Sequence, residues 1–342
     1  MRDLQEYRLD NPFGAVTSPL AIKLDANEIT SSDFDKRLEV SLPARLLEQY
    51  PDPEAKQLKG AIAKAHGVPE DMIVIGNGSD ELINNIMLAF FGKRLMLVDV
   101  GYPVYEHLAR IYEMQTRHID LTSEFALPSD IFEQFTLHAP EIVFFSFPNN
   151  PTGNLFDEAT VRHLVSDFPS TVFVIDEAYF EFSGVTLVDL VQTHQNVIVL
   201  RTLSKAYSLA GLRLGYAICG PSLTAVLHKV SLPYNVSSVS QHLGLRFFDE
   251  RKPFVRHVAA QVTKLRREVV SRLERHPALV VFPSTANFLF VKLRTDIDAD
   301  ELAKRLADNS VFLRFMSFGE RGRFIRFSLG MGNKSEAAVV KL

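Results

Sequence analysis

The sequence predicts an α/β protein with a mostly parallel central sheet flanked by helices, and a smaller α+β domain beside it. Three observations carry that expectation. Between residues 72 and 219, short apolar runs alternate with stretches of helical periodicity, the pattern of strands joined by crossover helices. The runs are continuously apolar, as strands covered on both faces must be. The 342 residues also exceed what one hydrophobic core usually holds, so a second domain is expected.

Composition narrows the class. At 46% hydrophobic and 23% charged residues the chain is an ordinary globular protein. A formal net charge of −4 argues against nucleic acid or an anionic membrane as a partner. The one cysteine, Cys219, allows no intrachain disulfide and suits a reducing compartment. The first six residues have no apolar core, and no apolar run reaches membrane-spanning length, so a soluble cytoplasmic protein is expected.

Taken in order, residues 1–30 read as irregular, with a turn at Asn11-Pro12-Phe13-Gly14 and a strand-like piece at 21–24. Tyr50-Pro51-Asp52-Pro53 holds an extended loop ahead of a helix over 58–66, which Gly67 stops. His66 reads as a helix-end residue favoured by the dipole, without chemistry. Strands are expected at 72–75, 95–98, 142–147, 172–175, 197–200 and 216–219. Leu82, Ile83, Ile86, Ala89 and Phe90 recur at helical spacing between the first two. A charged helix over 246–275 should cross to the small domain. That domain would hold strands at 279–282, 288–293 and 324–328 and a helix near 299–309.

Residues able to do chemistry follow the strand ends. Lys205 and Arg213 lie on the loop after 197–200, with Gly211 and Gly215 beside the arginine. An amine and a guanidinium there suit a carbonyl cofactor that carries a phosphate, since one forms a Schiff base and the other forks phosphate oxygens. A solvated lysine and a structural arginine would explain the same residues. Gly76-Asn77-Gly78-Ser79-Asp80 joins a strand to a helix, and the free N–H groups there suit a phosphate. The competing account is a simple N-cap by Ser79 or Asp80. Tyr102, two residues after Val100, is placed to cover a flat ring or to pack in the core. Asn150 precedes Pro151, so a cis bond there would aim its amide. Asp176 ends the 172–175 run, where it could hold a protonated pyridine nitrogen or a nucleotide's metal. The absence of a Walker-type phosphate loop counts against the metal, and no metal site is expected.

Together, Tyr50-Pro-Asp-Pro, Asn149-Asn-Pro-Thr-Gly, Asp176-Glu-Ala-Tyr and Leu203-Ser-Lys with Ala210-Gly-Leu-Arg resemble the fold-type I, class I/II pyridoxal-phosphate aminotransferases. Within that class the chain is most similar to the histidinol-phosphate aminotransferases, over residues 25–330. The resemblance implies that Lys205 carries pyridoxal 5'-phosphate and shuttles protons, and that Asp176 pairs with the ring nitrogen. It implies that Asn150 and Tyr179 hold the ring's phenolic oxygen, and that Tyr102 stacks on the ring. The phosphate would lie among Gly78, Ser79, Asp80, Thr202, Ser204 and Arg213. Tyr50 would reach the cofactor of a neighbouring subunit, implying a homodimer with shared sites. Arg326, and less directly Arg314, would receive the substrate's anionic end, while Asn27 lies in a segment that folds over the site.

The implied domains are an N-terminal arm over 1–30 joining the small domain, a cofactor-binding domain over 31–250 and a small domain over 251–342. The implied reaction moves an amino group from L-histidinol phosphate to 2-oxoglutarate. The scaffold also serves aromatic or broad-range aminotransferases and threonine-phosphate-type decarboxylases. A cofactor-sensing regulator would need a DNA-binding module, and the chain starts almost at once on the catalytic pattern. Two departures touch substrate choice. Glu28 is followed by Ile29-Thr30-Ser31, where the family usually has Asn-Pro and a glycine, and Phe13 stands where relatives carry a tyrosine.

Overall fold

The computed structural model describes residues 21–29, 40–294, 297–330, 335 and 338. Phe13, Thr30 and Ser31 therefore lie outside the described residues. Twelve strands fall into two sheets among these residues. The larger contains β2 (Ile73–Gly76), β3 (Arg94–Val98), β4 (Gln115–Ile119), β5 (Ile142–Ser146), β6 (Val172–Asp176), β7 (Val197–Thr202) and β8 (Gly215–Cys219). The smaller contains β1 (Ile22–Leu24), β9 (Leu279–Phe282), β10 (Phe288–Leu293), β11 (Val311–Ser317) and β12 (Arg323–Ser328).

The large sheet runs β2-β8-β7-β6-β5-β3-β4. All its strands are parallel except β8, which is antiparallel to both neighbours. Its central strands are covered on both faces, and alternate residues feed two separate cores. Phe173 and Ile175 of β6 join one, with Val143, Phe145, Val197 and Val199. Val174 joins the other, with Phe144, Ile198 and Leu200. That alternation is the two-residue period of a strand, and it explains the unbroken apolar runs. Because β2, β3, β5, β6 and β7 run the same way, their C-terminal ends reach one edge, where α/β sheets place ligands.

Two strands escaped the sequence reading. β4 is an edge strand, Gln115-Thr116-Arg117-His118-Ile119, whose first four residues are not buried and therefore carry no apolar signal. β11 alternates Phe312, Arg314 and Met316 on one face, and the arginine breaks the apolar pattern of a strand. The long helix expected over 246–275 is two, Ser238–Glu250 and Lys252–Leu273. The break has a cause: Pro253 cannot sit inside a helix but is well placed in a first turn. Arg251 at the junction is buried and donates from Nε to the Tyr207 carbonyl at 2.9 Å.

His66 also differs from expectation. Its Nε2 lies 3.0 Å from the Tyr216 hydroxyl. Burial, with Arg201 and Lys252 nearby, holds the imidazole down to about 4, so it is neutral at pH 7 and gains nothing from the dipole.

The second sheet runs β1-β11-β12-β10-β9, with β1 parallel to β11 and the rest antiparallel. Its interior is phenylalanine-rich, with Phe290 stacked on Phe324 at 4.5 Å. The two sheets are joined at the site edge by contacts such as Arg321, which reaches Asp99 at 2.8 Å and the Thr122 carbonyl at 3.1 Å.

Gly215, the first residue of β8, sets how closely that strand approaches the helix Ser79–Ala89. A Cβ there would stand 2.4 Å from the Ser79 nitrogen and 2.7 Å from the Gly78 carbonyl carbon. Gly215→Ala is therefore expected to cost about 1–3 kcal/mol, through overpacking against backbone. Chemical denaturation checks this, and a stability within about 0.5 kcal/mol of wild type would contradict it.

Candidate active site

The ends of the parallel strands and one face of the second sheet enclose a cavity of about 450 Å³. Ser79, Asp80, Tyr102, Asn150, Asp176, Tyr179, Thr202, Ser204, Lys205 and Arg213 line it from the large sheet; Asn27, Arg314 and Arg326 line it from the other side. Thirteen residues from distant parts of the sequence thus share one space. Gly78 lies just behind, and Tyr50 lies elsewhere.

Asp176 is the last residue of β6 and is 4% exposed. Its Oδ2 accepts from the Tyr105 hydroxyl at 2.6 Å and its Oδ1 from the Ala178 N–H at 3.1 Å. No cation pairs with it among the described residues. Burial pushes its carboxyl up to about 6, against the pull of those two donors. The next residue, Glu177, is equally buried but meets Arg201 at 2.6 Å. One carboxylate is neutralised within the fold, and the other faces the cavity.

Lys205 follows β7 by three residues, and its Nζ donates to the Ala26 carbonyl at 3.1 Å. Tyr179 receives two amide donors at its hydroxyl, Asn27 Nδ2 at 3.1 Å and Asn150 Nδ2 at 3.3 Å. Both its lone pairs are so engaged, which leaves its own proton to give. Arg326 Nη1 donates to Asn150 Oδ1 at 2.9 Å and thereby fixes which way that amide faces. The Asn150-Pro151 bond is cis, as its sequence allowed, and so is Phe147-Pro148.

A polar cup closes the end nearest the helix Ser79–Ala89. Gly78 is that helix's N-cap at φ +80°, and neither Ser79 nor Asp80 caps it with a side chain. The first-turn N–H groups are thus not taken up by a side-chain cap. The Arg213 guanidinium packs on Gly78, where a Cβ would meet Nη2 at 2.6 Å, and donates to Asp80 at 3.0 Å. Thr202 and Ser204 hydroxyls are 3.0 Å apart beside it. Tyr102 donates to Asp80 Oδ1 at 3.2 Å.

At the opposite end Arg314 of β11 and Arg326 of β12 are directly opposed across the antiparallel ladder. Like charges so placed repel. The Arg326 Nε is shut off from water and has no hydrogen-bond partner. Burial, Arg314 adding to it, lowers the Arg326 pKa. An anion between them would relieve that repulsion. The strap 25–29 spans the gap: Asn27 is 1% exposed, its N–H bonds Ser328 Oγ at 3.0 Å, and its carbonyl accepts from Asn287 at 3.1 Å.

Tyr50 is 83% exposed and stacks on Tyr234 at 4.8 Å, outside this cavity. Sequence reading assigned no role to Lys23, Asp25, Glu28, Ser146 or Met316, all of which line the cavity. Their only sequence signal is position, beside Asn27, at the end of β5 and next to Arg314.

These residues fit pyridoxal phosphate. An unpaired buried carboxylate suits the ring nitrogen, a phenol with a proton to give suits the ring's phenolic oxygen, and the cup suits a phosphate. Comparison with known proteins agrees. A model of the class I and II aminotransferases matches residues 21–341. Histidinol-phosphate aminotransferase from Thermoanaerobacter pseudethanolicus is 35% identical over 311 residues, 87% of this chain and 85% of that one. The structure of histidinol-phosphate aminotransferase from Clostridium acetobutylicum superposes with a TM-score of 0.81, covering 94% of this chain and 97% of that one at 21% identity. L-threonine-O-3-phosphate decarboxylase from Porphyromonas gingivalis gives 0.78, covering 87% and 90% at 23% identity. At such identities the superpositions establish the fold.

The chain therefore belongs to the class I and II aminotransferases and has their fold-type I architecture. It is a pyridoxal-phosphate-dependent aminotransferase, similar over most of its length to histidinol-phosphate aminotransferases.

The burial of Asp176 has a consequence for stability. The folded carboxyl binds its proton more tightly than the unfolded one, whose value is near 3.8. Ionising it therefore costs the fold at pH 7, and that cost disappears as pH falls from about 6 to below 3.8. In cofactor-free protein, Asp176→Asn should raise stability at pH 7 by about 1–3 kcal/mol, with the gain shrinking on acidification. Denaturation at a series of pH values tests this, and a gain that grows toward low pH would contradict it.

Proposed function

We propose that the protein transfers an amino group from a donor carrying a phosphate, L-histidinol phosphate, to 2-oxoglutarate, yielding imidazole acetol phosphate and L-glutamate. One observation carries the choice: two arginines face each other across the ladder, one with a buried unpartnered Nε, in the cavity that also holds Lys205 and Asp176. The named sequence relatives support the same donor.

Bound pyridoxal phosphate supplies an electron sink for the charge left when the donor loses its α-proton. Lys205 would hold the cofactor through Nζ, and the same amine, once free, would be the base that takes the donor's α-proton and the acid that gives it back on the far side of the shared nitrogen. Asp176 keeps the ring nitrogen protonated. Tyr179 donates to the ring's phenolic oxygen, aided by Asn150, whose amide Arg326 aims. Tyr102 covers the ring. Ser79, Thr202, Ser204 and Arg213, with the backbone N–H groups over Gly78, Ser79 and Asp80, would take the cofactor's phosphate. Arg326 and Arg314 take the donor's phosphate, with Asn27 and its strap closing over it.

The active unit is a homodimer in this reading. Tyr50, Leu47 and Leu232 are 83%, 75% and 74% exposed, and the Tyr50-Tyr234 stack makes an apolar face suited to a second copy. Tyr50 then reaches the partner's site. Cys219 is buried, its thiol pushed up to about 11, and it suits a reducing cytoplasm without needing one.

A half-reaction screen tests the donor. Cofactor-loaded protein is mixed with histidinol phosphate, phenylalanine or threonine phosphate, following conversion to the pyridoxamine form and release of carbon dioxide. Rapid conversion by histidinol phosphate alone supports the proposal. Conversion mainly by phenylalanine would make it an aromatic aminotransferase, and carbon dioxide from threonine phosphate a decarboxylase. Arg326→Ala should lower kcat/KM for the phosphorylated donor by about 30- to 1000-fold, mostly through KM. An unchanged KM would return Arg326 to a purely structural role.

A further inference from the structure

The Asp176 carboxylate has a neighbour with no role in the account so far. Tyr105 lies on the helix Pro103–Ile111, is 3% exposed, and does not line the cavity. Its hydroxyl makes the 2.6 Å bond to Asp176 Oδ2. Its ring is wedged between Tyr102, edge-on at 5.4 Å, and Phe144 at 4.9 Å. Packing on two sides leaves the ring little rotational freedom, so the hydroxyl position is set by the core rather than by the carboxylate. Burial first, and the adjacent carboxylate second, keep this phenol protonated. The bond therefore always runs from tyrosine to aspartate.

We infer that Tyr105 is a positioning residue for cofactor binding: its O–H fixes the plane of the Asp176 carboxylate and stabilises its charge, so the remaining lone pairs face the ring nitrogen. The inference rests on the assignment of Asp176 to that nitrogen. A carboxylate anchored at one oxygen only, by the Ala178 N–H, could swing about that anchor. With a donor on each oxygen it cannot. Hydrogen bonds to a charged acceptor are the strong ones, and outer partners of this kind commonly change ligand affinity severalfold or more.

The same ring also buttresses Tyr102, so a packing role must be separated from an electrostatic one. A double-mutant cycle on the full chain does this. Tyr105→Phe, Asp176→Ala and the double variant are prepared cofactor-free, and the dissociation constant for pyridoxal phosphate is measured for each by equilibrium dialysis. Thermal melting of each confirms folding, and the phenylalanine keeps the ring that fills the core. Tyr105→Phe is expected to weaken binding about 10- to 100-fold, and to have no further effect once Asp176 is alanine. In turnover, kcat should fall while KM for the amino donor stays within about twofold. An equal loss in both backgrounds, or no loss in either, would overturn the inference. Wild-type affinity in Asp176→Ala alone would instead remove the assignment of Asp176 to the ring nitrogen.

Discussion

A buried carboxylate without a cation organises this protein. Asp176 sits at the end of the central strand of a seven-stranded sheet, out of water, held by two neutral donors. Burying such a charge unpaired is costly, and proteins rarely do so except where a ligand completes the pairing. Glu177 shows the alternative one residue on, where Arg201 closes the charge within the fold. The strand's two-residue period sends these neighbours to opposite faces. One is closed within the fold, and the other, in the proposed reading, is left for a protonated ring.

The opposite imbalance stands across the cavity. Arg314 and Arg326 are opposed with no carboxylate between them among the described residues, and Arg213 has only the half-exposed Asp80. The strap 25–29 partly satisfies these groups in their place: the Asp25 carbonyl accepts from Arg326 and the Ala26 carbonyl from Lys205. The site is therefore laid out as three separated demands, for a cation at Asp176, an anion at Arg213 and a second anion at the arginine pair. Pyridoxal phosphate suits the first two, and the proposed phosphorylated donor suits the third. The fold supplies the rigidity this needs, because six parallel strands end at one edge and the second sheet bears its arginines on the facing side.

Much of this was legible in the sequence, for identifiable reasons. The runs that became β5, β6 and β7 are buried on both faces and carry no polar interruption, so both their presence and their ends could be read. The residues just beyond those ends, Asn150, Asp176 and Lys205, follow from that reading. β4 was not legible because an edge strand has little to bury, nor β11, whose arginine lines the cavity rather than the core. The helix break at Arg251 has its sequence signal in Pro253. Tyr105 could not be found from spacing alone, since a buried tyrosine on a helix is ordinarily core, and only the fold brings its hydroxyl to Asp176. The same holds for Lys23, Asp25 and Glu28, which reach the cavity through the pairing of β1 with β11.

The central claim is that Asp176 lacks its cation until a protonated ring arrives. The most direct test is the nitrogen-15 NMR spectrum of the protein reconstituted with ring-labelled pyridoxal phosphate, recorded at mildly alkaline pH. The account predicts a ring nitrogen that carries a proton well above the pH at which the free cofactor loses it, and that loses this protection in Asp176→Asn. A ring nitrogen unprotonated in the wild-type protein would contradict it.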